Sequence, residues 1–156
     1  MSKEIRLKRG LNINLLGEAD KVYASVKQGV ISKKYVLKPT DFHSLTPKLK
    51  VKVGDIVKAG SSLFFNKSND KINFCSPVSG KVTDIVRGEK RKILEVVVAA
   101  DDDIIYEKFN ISSHKDLSRE QIIDSMLKGG VWPFIRQKPY DVIASPSDMP
   151  KAIFIS

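Results

Sequence analysis

From Leu49 to Ile85 the apolar residues come in short runs, each closed by a turn residue. Leu49, Val51 and Val53 alternate with Lys50 and Lys52, the two-residue period of a half-buried strand. Gly54-Asp55 turns the chain, Ile56-Val57 is a brief apolar step, and Gly60 turns it again. Leu63-Phe64-Phe65 predicts a second strand, the polar stretch Asn66 to Lys71 a hairpin loop, and Ile72 with Phe74 the returning strand. Pro77 and Gly80 interrupt it before Val82 to Ile85 resumes. Many short strands between close turns predict a small, tightly folded β structure.

The flanking regions carry other patterns. Ile5 to Lys8 alternates as a strand ending at Arg9-Gly10, and Leu11 to Gly17 reads as semi-extended. Val22 to Val26 and Val30-Ile31 are further short strand candidates; Lys34 to Lys38 is another, stopped by Pro39. Asp41 to Pro47 reads as a loop, and the charged turn Arg87 to Arg91 feeds Ile93 to Ala99. That run is the richest in β-branched residues and is expected to be the most buried strand. At Leu117 the period becomes helical. Ser118 and Gln121 form a capping-box pattern, with Leu117 and Ile122 as the matching staple. Ile122, Ile123, Met126 and Leu127 share one predicted helix face, and Gly129-Gly130 ends the helix. Val131 to Tyr140 is aromatic, proline-rich and reads as irregular; Ala144 to Pro150 reads as a linker, and Lys151 to Ser156 as a strand entering a sheet. A buried-type strand with no covering element after it predicts a fragment of a longer protein.

Composition narrows the function classes. The 156 residues, 42% hydrophobic and 29% charged, describe an ordinary folded protein able to bury a core. The apolar run Ile93 to Ala100 is broken by Glu95 and is too short to span a bilayer. The N-terminus lacks the apolar centre of a signal peptide, which points to the cytoplasm. The single cysteine, Cys75, excludes an internal disulfide and a cysteine metal cage, and its apolar strand context predicts a buried structural thiol. A net charge of +9 suits an anionic partner, yet the lysines alternate with apolar residues as solvent faces of strands do. No basic–aromatic motif of nucleic-acid recognition is visible, so nucleic acid is not the expected partner. A basic module for anionic lipid or RNA is kept as an alternative. His43 lies beside Phe42 and His114 stands alone; neither has a paired Ser, Cys or carboxylate at a suggestive spacing. Asp101 to Asp103 lacks calcium-loop spacing and reads as a solvated turn. With no dinucleotide fingerprint, P-loop or nucleophile elbow, no catalytic, cofactor-binding or metal set is expected in this chain.

Val51, Gly54, Asp55, Val57, Gly60 and Leu63, followed by Ser76, Pro77, Gly80 and Val82, resemble the lipoyl/biotinyl carrier type of barrel-sandwich hybrid. Such carriers hold their cofactor on a lysine at the hairpin tip, within Asp-Lys-Ala or Met-Lys-Met. Counting back from Ser76-Pro77 puts that position at Asn69, with Asp70-Lys71 displaced from it, so the resemblance implies the fold without the attached group. A carrier bearing lipoate or biotin is the alternative function.

A longer series of segments is similar to the A-type subunit of the Na+-translocating NADH:quinone reductase. It runs through Lys8 to Ile13 with Gly17, Lys50 to Gly60, Ser76 to Gly80 and Arg87 to Arg91. It continues through Gly130-Val131-Trp132, Phe134, Arg136, Pro139 and Ala152 to Phe154. The iron–sulfur subunit of the Rnf electron-transport complex shares the carrier-like part, but the opening Lys8 to Asn12 departs from its Gly-Gly-Ile-His type. The resemblance implies a β-rich α+β fold. An N-terminal strand and connector would occupy residues 1–29, a barrel-sandwich hybrid 30–100, and the helix, linker and first strand of an incomplete α/β domain 101–156. It implies a peripheral subunit on the cytoplasmic side of the cell membrane, associated with quinone and with other subunits of the complex, which carry the NAD, flavin and iron–sulfur chemistry. Members are much longer, so this chain would be the N-terminal part. Lysine replaces arginine at Lys90 and Lys138, which weakens any two-pronged anion contact there. Trp132, Phe134 and Arg136 are the candidate contacts for a partner or quinone.

Overall fold

A computed structural model describes residues 16–17, 32–109 and 117–155. His114 and the strand candidates of the first 31 residues fall outside these, apart from the bend at Leu16-Gly17. Residues 32–156 form one unit. Its strands are β1 (Lys34–Leu37), β2 (Pro47–Leu49), β3 (Ile56–Val57), β4 (Ser62–Asn66), β5 (Asn69–Cys75), β6 (Gly80–Arg87) and β7 (Ile93–Ala100). Helix α1 (Arg119–Lys128) and the short strands β8 (Arg136–Gln137) and β9 (Val142–Ile143) follow. One antiparallel sheet has the order β1-β7-β6-β3 and the other β2-β4-β5. Their inner faces share a core built around Val57, Leu63, Phe64, Ile72, Phe74, Val82, Val96 and Val98. This is the barrel-sandwich hybrid, with the beginning of an α/β domain after it.

Local chemistry sets the details. In β4 the register with β5 shifts between Ser62 and Phe64, so consecutive Leu63 and Phe64 are both fully buried, which strict alternation would forbid. Strand β7 lies between β1 and β6, with Val96 and Val98 buried. The strand expected over Leu49 to Val53 ends at Leu49. Asp55 accepts from the Lys52 amide at 2.8 Å and donates its own amide to the Lys52 carbonyl at 3.2 Å, so the alternating residues are drawn into a turn. The hairpin loop expected over Asn66 to Lys71 contracts to the two-residue turn Lys67-Ser68, since Asn66 already pairs with Asn69. The Asn66 side chain accepts from the Ser68 amide at 3.1 Å and holds that turn closed.

The β6–β7 connection is more costly. Lys92 donates its amide to the Glu89 carbonyl at 3.1 Å, and between them Lys90 and Arg91 have φ of 53° and 61°. Two central residues at positive φ define the turn that prefers Asn-Gly. Long L-residues there cost about 1–2 kcal/mol each.

The capping box is present: the Ser118 hydroxyl accepts from the Gln121 amide at 3.3 Å, and the Ser118 amide donates to the Gln121 side chain at 2.8 Å. Ser118→Ala is expected to remove about 1 kcal/mol of stability, read as a lowered midpoint of urea unfolding. The buried helix face comprises Ile123, Met126 and Leu127, which pack against the core, whereas Ile122 is exposed and lies off it. Two further expectations are corrected. Val131 to Tyr140 is not wholly irregular, since Trp132–Phe134 forms a 3-10 turn and Arg136-Gln137 pairs with Val142-Ile143. Residues 151–155 are exposed and form no strand, because none of the described strands pairs with them to complete a ladder.

Candidate functional site

Phe42, in the loop between β1 and β2, joins the sandwich to the segment after α1. Its ring meets Phe74 edge-on at 4.7 Å between centroids and Phe134 at 6.1 Å. The Arg136 guanidinium lies 5.5 Å from the ring centre, within cation–π range. Behind Phe42, Phe74 stacks on Phe64 at 4.8 Å, so a continuous row of rings leads from the core to the surface.

The three candidate residues divide. Trp132 is 7% exposed and donates its indole N–H to the Ala144 carbonyl at 2.8 Å, which makes it a packing residue in this unit. Phe134 is 71% exposed and offers most of its ring to solvent. Arg136 is half-buried: it bonds the Asp141 carbonyl at 3.3 Å while lying over Phe42. Asp141 is itself tied by Lys138 at 2.7 Å, and this lysine is what holds its carboxyl below the ordinary value. Phe134, Arg136 and Phe42 therefore make one exposed aromatic–cationic surface, and Trp132 supports it from beneath. Phe42 carries no sequence signal. Its neighbours Phe74, Phe134 and Arg136 come from two stretches far from it in sequence, and only the fold brings them together.

Phe42 also lines a shallow cleft of about 220 Å³ with Pro39, His43, Ser44, Leu45 and Lys92. His43 is exposed there and has no carboxylate or thiol ligand set around it; among the described residues no metal-binding group of His, Cys, Asp or Glu occurs. Asp101 to Asp103 are exposed, in a bend after β7. Cys75 is partly buried, and desolvation raises its thiol to about 11 against a smaller opposing effect of Lys50, so it is a poor nucleophile. The arrangement can bind apolar or planar groups beside a cation; it holds no paired nucleophile and base.

At the hairpin tip the position counted from Ser76-Pro77 falls on Asn69, but Asn69 already begins β5. The turn consists of Lys67 and Ser68, and Lys67 is its exposed lysine. The count from the downstream proline missed it because the register shift between Phe65 and Asn66 alters the length of the returning strand.

Residues 5–101 match the family model of the NqrA N-terminal barrel-sandwich hybrid domain. The chain belongs to this family. Residues 117–156 match the NqrA second alpha/beta domain. The chain is 34% identical over 154 residues to the A-type subunit of the Na(+)-translocating NADH-quinone reductase of Neisseria meningitidis serogroup A, covering 97% of this chain and 34% of the relative. The corresponding subunit of Tolumonas auensis is 36% identical over 155 residues, and that of Pseudomonas aeruginosa (strain UCBPP-PA14) 31% over 154, with the same coverage. The chain thus spans about a third of the length of the curated relatives it matches. Among the described residues no helix is long and apolar enough to cross a membrane.

Proposed function

We propose that this chain serves in a sodium-pumping NADH:quinone oxidoreductase as part of its peripheral NqrA subunit, where it contributes to assembly and to association with quinone. The observation that carries this reading is the similarity to the A-type subunit of the Na(+)-translocating NADH-quinone reductase over 97% of the chain. In this reading the other subunits hold the NAD, flavin and iron–sulfur groups, and the chain meets the cytoplasmic side of the membrane through them. The exposed surface of Phe134, Arg136 and Phe42 is the contact for a partner subunit or quinone, since aromatic and arginine side chains are the usual anchors of interfaces. Phe134→Ala should leave the melting temperature of the chain nearly unchanged while weakening its assembly with the complex, or quinone-dependent turnover, about tenfold. Normal assembly and turnover, or a loss of stability alone, would return this segment to packing.

A covalently loaded carrier, the second reading, would use the exposed tip lysine Lys67. We propose that the tip stays unmodified, because Asn66 and Ser68 flank it in place of the carrier residues. The intact mass of natively expressed protein should equal that of the bare sequence; an added lipoyl or biotinyl mass on Lys67 or Lys71 would overturn this.

A further inference from the structure

A second surface lies where the β6–β7 turn meets the loop before β2, and its charge is one-sided. In sequence, the exposed Arg87, Lys90, Arg91 and Lys92 flank a single carboxylate, Glu89. None of the four is in an ion pair among the described residues, and the nearby Glu95 is taken up by Lys38 at 3.3 Å. Nothing in the turn requires cations. The two positions at positive φ are those where Asn-Gly would relieve strain, so lysine and arginine occupy them against the local preference. The turn is also fixed. Gly88 donates to the Lys92 carbonyl at 2.8 Å, and the Arg87 side chain bonds the Arg91 carbonyl at 3.3 Å.

Lys92 continues from this turn into the wall of the 220 Å³ cleft, whose apolar lining comes from Phe42, Leu45, Pro47 and Ile93. Ser44, also in the lining, is held at φ 61°. The cleft is smaller than the roughly 300–1,000 Å³ of sites that enclose a small molecule, and it suits one apolar side chain instead. A membrane surface would reward charge alone and would not need cations held in a strained, hydrogen-bonded turn beside an apolar notch. A shaped partner would.

We infer that the notch between the loop at residues 39–47 and the β6–β7 turn docks an acidic segment of a protein partner. An apolar side chain of that segment seats against Phe42 and Leu45, and its flanking carboxylates meet Lys90, Arg91 and Lys92. The notch shares Phe42 with the surface of Phe134 and Arg136, but the inference rests on Lys90, Arg91 and Lys92, which that surface does not use.

The test uses the full chain and a fluorescein-labelled peptide, Glu-Asp-Glu-Phe-Glu-Asp, titrated by fluorescence anisotropy. Hexaglutamate and vesicles of phosphatidylcholine with phosphatidylserine serve as the other arms. The expected result is saturable binding of the phenylalanine peptide that weakens as salt is raised. Binding should weaken at least tenfold in the K90N/R91G double variant and stay within twofold in K90R/R91K. The melting temperature of K90N/R91G should rise, because its turn is relieved, so lost binding cannot be put down to misfolding. A flat titration, equal affinity in K90N/R91G, or equally tight binding of hexaglutamate would overturn the inference. So would preferential capture by the vesicles that is lost in K90N/R91G, which would make the partner a lipid surface. The assay contains no other reductase component and no quinone, so its failure leaves the assembly experiment on Phe134 untouched.

Discussion

Gly80→Ala is expected to cost at least about 3 kcal/mol, a large share of the roughly 5–15 kcal/mol that holds a domain folded. A Cβ at Gly80 would lie 1.8 Å from the Ala99 carbonyl oxygen, 2.8 Å from its carbon and 3.0 Å from the Ala100 Cα. All three are backbone atoms of β7, so no side-chain rotation can make room. Gly80 is also paired on its other side with Val57 in β3, and β6 cannot back away from β7 without opening that pair. Its φ of 153° adds a conformational penalty for any L-residue. Gly54→Ala is the control. There φ is 101° but nothing lies within 4 Å of the added methyl group, so only the backbone term remains, about 1–2 kcal/mol. Urea unfolding of the two variants separates crowding from φ alone. Equal midpoints would mean that β7 yields to the new methyl and that the tight β6–β7 approach contributes little.

That approach explains why the Ser-Pro-x-x-Gly-x-Val stretch was readable from sequence. Ser76 turns its hydroxyl to the Val78 carbonyl at 2.7 Å, and Gly80 begins β6, so local residues do local work. The capping box at Ser118 was readable for the same reason, because both partners lie within one helical turn. The readings that failed depended on distant contacts or on a shift in pairing. The alternation from Leu49 to Val53 was genuine, but Asp55 claimed its last residues for a turn. Leu63 and Phe64 are both buried only because a bulge breaks the alternation, and the same strand pair moves Lys67 into the tip that counting had given to Asn69. Trp132, Phe134 and Arg136 were visible as a cluster of anchor-type residues, yet their division into one buried and two surface-forming side chains depends on Phe42, some ninety positions earlier in the chain. No periodicity links these positions.

Phe74→Ala tests whether that site is mounted on the core. Phe74 is 2% exposed, stacks on Phe64 with an interplanar angle of 18°, and meets Phe42 edge-on at 74°. Its removal should cost about 3–5 kcal/mol, the usual range for emptying a buried phenylalanine site. The more informative quantity is its coupling to Phe42. Phe42 is only partly buried, so Phe42→Ala alone should cost less, and the double variant should cost less than the two added together, by about 0.5–1.5 kcal/mol for the lost ring pair. A coupling of that size would mean that the position of Phe42, and with it the surface made by Phe134 and Arg136, is set by the sandwich interior. Assembly defects from substitutions deep in the core would then follow without any direct contact to a partner. Strict additivity would mean the opposite: Phe42 is held by its own loop, and the aromatic–cationic surface is an attachment to the fold rather than an extension of its core.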